Sequence, residues 1–190
     1  MICLIGNRPV LQVGRHQVSG YDTEWIRESI ITAAELSGRD DFPFADDLHS
    51  GILHYLEHNC PLQLLKIEDL HKRIQHMLTR IGHQPMAEVL PRRAPAIEIS
   101  LRDAAESAGN GYELAFFDHL QKEIGELKSY GVSMIEFNDV RHSVMVLRGQ
   151  EKWNDSCDQL REEILTFLRT HGRSSRHHPQ KISLNLNSPR

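Results

Sequence analysis

The chain lacks any run approaching the ~18 consecutive apolar residues that cross a bilayer, which argues against a membrane-spanning helix. Its opening stretch, MICLIGNRPVLQV, is too short and too interrupted for a secretory signal, so a cytoplasmic location is expected. Cysteine is scarce. Cys3, Cys60 and Cys157 are odd in number and far apart, which implies no disulfide framework, and no CxxC pair is present to suggest a metal site. Cations are not in excess either. With 22 Lys and Arg against 26 Asp and Glu, the formal charge of −4 argues against bulk attraction to nucleic acid. There is no internal repeat, no GxSxG nucleophile turn and no complete phosphate-binding glycine motif.

What is present fits a globular protein. The 190 residues suffice for one large domain or two small ones with a real core, and 39% hydrophobic with 25% charged residues is an ordinary balance. Histidine is frequent, with 12 copies. Three lie in LHSGILHYLEHNC, residues 48–60, where His54 and His58 have the four-residue spacing of a helical zinc pair. His49 falls about 160° away around a helix at 100° per residue, and no Glu follows the first His of the pair. Two ligands do not make a site, so no metal is expected.

The first half reads as strands followed by helices. ICLI, the turn GNRP and VLQV suggest a hairpin over about residues 2–19, with Gly6 and Asn7 in the turn and Pro9 on an edge strand. YDTEWIRESIITAAELSG opens a helix with Asp22 as its cap and Ile26, Ile30, Ala33 and Ser37 on one face. The small residues Ala33 and Ala34 offer a close approach to an oligomer or protein partner. A second helix begins near residue 45, burying Leu48, Ile52, Tyr55 and Leu56. The third carries a stripe of Ile67, Leu70, Ile74, Met77, Leu78 and Ile81, capped by Gly82. PRRAP then reads as a linker.

The second half has another rhythm. AIEISL is a strand, ESAGNG a loop, and YELAFFDHLQKEIGELKSYG an amphipathic helix through Leu114, Phe117, Leu120, Ile124 and Leu127. VSMIEF and HSVMVLRG read as an antiparallel hairpin across NDVR, and a last helix buries Trp153, Cys157, Leu160, Ile164 and Phe167. Gly109 and Gly111 precede a helix but lack the Lys-Ser/Thr of a P-loop, so they predict a loop and cap. Asp118 and His119 point about 100° apart on a helix and cannot orient each other for catalysis. The sequence therefore points away from an enzyme. The expected fold class is α+β: a β-hairpin with a three-to-four-helix module over 1–90, a linker at 91–96, a small sheet with helices on one face over 97–172, and a disordered basic tail at 173–190.

Three stretches of the first half resemble the ATP-cone, the regulatory nucleotide-binding domain of ribonucleotide reductases and some of their transcriptional regulators. They are the N-terminal strand pair, the YD..WI..SI..AA entry into the first helix, and IEDLHKRIQHMLTRIGHQPMAEVL with Leu70, Ile74, Leu78, Gly82 and Met86-Ala87 in register. The resemblance covers residues 1 to about 90. It implies a cone-like, non-catalytic regulatory domain, with ATP or dATP as effector and a homo-oligomer or protein partner. The family grips triphosphate with a basic KRDG turn and a helix lysine, where this chain has IGNRP and Trp25. Two missing lysines remove charge-assisted contacts of about 1.5–3 kcal/mol each, so a degenerate site binding a purine nucleotide weakly is implied. Arg8, Arg15 and Arg27 are the basic residues left at that end. The alternative is an interaction or oligomerisation module with no small-molecule ligand.

Overall fold

Residues 8–39, 41–172 and 181–184 are described by the computed structural model. They form an α+β protein of two compact units, Met1–Pro95 and Ala96–Arg190.

Unit 1 begins with β1 (Val10–Val13) and β2 (His16–Val18). They pair antiparallel with Val13 opposite His16. The two-residue turn between them starts on Gly14 at φ +58, the left-handed conformation that a glycine-first hairpin turn requires. The hairpin is therefore one turn further along than the sequence suggests. VLQV pairs with the HQV that follows it, while ICLI, Gly6 and Asn7 lie outside the described residues. Nor does Pro9 precede an edge strand, because β3 (Leu64–Lys66) pairs parallel on the other side of β1 and makes it central. Alternation buries Leu11, Val13 and Leu65 on one face.

Four helices build the rest of unit 1: α1 (Glu24–Leu36), α2 (Ala45–His54), α3 (Ile67–Arg80) and α4 (Gln84–Glu88). A single π-helical turn, Tyr55–Asn59, prolongs α2 before Pro61. Asp22 caps as expected in part, its carboxylate accepting the N–H of Glu24 at 3.2 Å. Ile26, Ile30, Leu56, Leu70 and Leu78 are essentially inaccessible. Ala33 and Ala34 are also buried, inside the unit's own core, where α1 meets α2 and α4. They let those helices approach closely and offer nothing to an outside partner. The linker is anchored too. Arg93 holds Glu28 of α1 at 2.5 Å and Thr32 at 3.1 Å, and Ala94 and Pro95 are buried.

Unit 2 departs further from expectation. After β4 (Ile97–Ser100) the chain turns at once into α5 (Leu101–Ala108), a helix the sequence reading lacks, whose last turn takes the start of the expected ESAGNG loop. The signal was present in Ser100-x-x-Asp103: the serine Oγ accepts the Asp103 N–H at 3.2 Å, and Leu101, Ala104 and Ala105 recur at helical spacing. Then come α6 (Glu113–Ser129), β5 (Met134–Asn138), α7 (Val140–Arg148), α8 (Asp155–Gly172) and β6 (Lys181–Leu184). HSVMVLRG is thus a helix and forms no hairpin. Val140, Ser143, Val144 and Leu147 share a face at spacings of three and four and pack on α5. Packing overrides the strand preference of their β-branched side chains.

The sheet of unit 2 is parallel throughout, in the order β4-β5-β6. Each crossover is a pair of helices. Ile97, Ile99, Ile135 and Phe137 are buried under them, while Glu98 and its register partner Glu136 project from the other face. The β6 strand occupies part of the stretch expected to be a disordered tail; residues 173–180 and 185–190 lie outside the described set.

Candidate functional site

The candidate nucleotide residues lie at separate places in unit 1: Arg8 beside Tyr21, Arg15 at the hairpin turn and Arg27 in α1. Arg8 lays its guanidinium over the Tyr21 ring, 5.2 Å from the centroid, and has Glu57 at 3.8 Å. Arg27 is held by Asp46 at 2.5 Å and Glu24 at 3.0 Å, partners that raise its pKa further. Arg15 sits exposed beside Gly14 at the hairpin turn. Arg8 and Arg27 therefore already hold carboxylates, and an incoming anion competes with them.

Two residues that the charge count overlooked matter more. Tyr21 is 5% exposed, and among the described residues its hydroxyl has no hydrogen-bond partner. Burial pushes the phenol up to about 12, against the opposing pull of Arg8. It stays a protonated donor. Trp25, in the helix position where the resembled family has a lysine, likewise buries an indole N–H without a partner. A buried donor left unbonded costs about 1–3 kcal/mol. Such a donor beside an arginine, as Tyr21 is beside Arg8, suits an acceptor that arrives from outside. The signal for Tyr21 was its place in the YD entry; for Trp25, a neutral donor where a cation was sought.

The other sequence candidates are absorbed by the fold. His54 and His58 stack at 4.5 Å on an exposed helix face, and no group of three or more His, Cys, Asp or Glu able to hold a metal occurs among the described residues. His49 turns away to Thr23, whose carbonyl lies 3.1 Å from its Nε2. The N–H groups of Gly109 and Gly111 are taken by Ala105 and Leu147 carbonyls, so that loop has neither to spare for a phosphate. Asp118 is bonded to Lys122 at 2.6 Å. His119 faces the buried carboxylate of Glu123 at 3.6 Å. Cys60 and Cys157 are free thiols, with Cys157 in the core as its spacing predicts.

A second feature of unit 1 is a groove of about 700 Å³ between α2, its π turn and α3. Leu70 and Ile74 form its floor, and Tyr55 stands on the α2 side. Arg73 reaches across from α3 to donate to the Tyr55 hydroxyl. The groove exists because α2 packs on α1 and α3 packs on α4 and the sheet, which leaves the α2–α3 side open. Met77 and Ile81, which the stripe on α3 assigned to the core, lie along it instead, and Ile81 is 47% exposed. No family model, curated protein or solved structure matches the chain.

Proposed function

We propose that this chain is a non-catalytic regulatory protein whose first unit is a degenerate ATP-cone-like domain, sensing a purine nucleotide weakly at the entrance to α1. The carrying observation is Tyr21, whose ring lies beneath the Arg8 guanidinium and whose buried hydroxyl has no hydrogen-bond partner among the described residues. A phosphate oxygen there would accept from Tyr21 and face the Arg8 charge. The indole N–H of Trp25 is a further donor on the same helix entrance, and Arg15 is a nearby cation in sequence at the hairpin turn. A hairpin lid with helices beneath it is also what the resemblance implies for this domain. Weakness follows from the carboxylates on Arg8 and Arg27, which a triphosphate must displace or tolerate.

The test is thermal unfolding of the whole chain with ATP, dATP and inorganic triphosphate at millimolar concentration. A ligand that binds the folded state raises the midpoint by mass action. Tyr21→Phe, which keeps the ring and deletes the hydroxyl, and Arg8→Ala are each expected to abolish most of the rise. Absence of any rise, or an equal rise in both variants, would overturn the reading. A second reading, an interaction module without a small-molecule ligand, is favoured by the open α2–α3 groove.

A further inference from the structure

The α2–α3 groove carries an exposed basic rim. Arg8, Arg27 and Arg93 each hold a carboxylate. Lys72, His76 and Arg80, all exposed on the groove's rim, make no ion pair among the described residues, and no acidic residue lines the groove. Asp69, one turn earlier on α3, is outside the lining.

The arrangement of these basic residues selects the kind of ligand. At i, i+4 and i+8 they form a row about 12 Å long, at 1.5 Å of rise per residue. A phosphate or carboxylate headgroup needs donors that converge on one point, which a 12 Å row does not supply. Beside the row runs an apolar strip, with half-buried Met77 and exposed Ile81 one helical turn apart. Methionine adapts its shape to what it meets. A row of basic residues parallel to an apolar strip is the complement of a helix with carboxylates along one edge and aliphatic side chains along the next.

We propose that the α2–α3 groove of unit 1 binds an acidic amphipathic helix of a partner protein. Its aliphatic side chains rest on Met77 and Ile81, and its carboxylates face Lys72, His76 and Arg80. This assignment is independent of the nucleotide reading, because it uses none of the residues at the α1 entrance.

The probe is a fluorescein-labelled helical peptide with leucines at i, i+3 and i+7 and a flanking row of glutamates at four-residue steps. Its binding to the whole chain is followed by anisotropy. Saturable binding with Kd of about 1–100 μM is expected, within the usual range for transient contacts, and it weakens as salt rises. The double variant Lys72→Glu/Arg80→Glu is expected to weaken it at least about tenfold, since like charges then face each other. Met77→Asp should weaken it comparably at the apolar strip. Neither change touches the buried core, and circular dichroism checks that the fold is kept. Three results would overturn the proposal: no saturable binding, equal binding of a peptide with lysines in place of the glutamates, or unchanged binding by the double variant. Association with phosphatidylserine vesicles through Lys72 and Arg80, without peptide binding, would assign the face to a membrane surface and overturn it equally.

Discussion

Burial governs the titration of two side chains in unit 1, His71 and Tyr21. His71 on α3 is half-buried, and burial, followed by the nearby Arg92 charge, holds its imidazole below the ordinary 6.5. As pH falls, the unfolded chain takes up the proton first. The contribution of His71 is therefore fully present above about pH 6.5 and is lost as pH falls through the lower folded value. Urea titrations at successive pH values should show His71→Gln losing less stability than the parent below pH 6.5; parallel slopes would refute this. The same principle acts on Tyr21, whose buried phenol stays protonated and able to donate. Charge partners act on the arginines instead. Arg8 and Arg27 are visible in the sequence, but their carboxylate partners Glu57 and Asp46 come from α2 and the turn that prolongs it.

At the scale of helices, periodicity finds the element but not its covered side. The α6 stripe was read through Leu114 and Phe117. The helix buries Leu120, Ile124 and Leu127 as that stripe expects, but adds Phe116 and Glu123 in place of Leu114, which is 86% exposed, and Phe117, which is part-covered. Both phases are spaced for a helix, and only the neighbours α5 and α8 distinguish them. Phe116→Ala should therefore cost about 3–5 kcal/mol, as expected when a fully buried aromatic side chain is removed. Leu114→Ala should stay within about 0.5 kcal/mol, as surface changes do. Urea unfolding followed by Trp153 fluorescence, in a Trp25→Phe background, compares the two; similar losses would contradict the assignment. The α3 stripe shows the converse. Its period is right along its whole length, but Met77 and Ile81 face a side that no other helix of the described residues closes.

For the whole molecule, each unit owns its core. Leu11, Ile26, Ile30, Leu65, Leu70 and Leu78 are buried within unit 1, whose sheet is complete without residues beyond 95. Residues 1–95 expressed alone should give a helical circular dichroism spectrum and melt cooperatively; a non-cooperative melt would show that the core needs more of the chain. No helix of the described residues is long and apolar enough to cross a membrane.

The amino-acid sequence by itself determined the mixed α+β class, the long helices α1, α3, α6 and α8, and a break near PRRAP, because helical periodicity and proline act locally. Tertiary structure alone decided that β1 is central, that Val-rich HSVMVLRG is a helix on α5, and that the second sheet is parallel. It also decided which donors are orphaned and which face of α3 stays open. Strand order and coverage depend on contacts between residues far apart in the chain, and no local pattern records those.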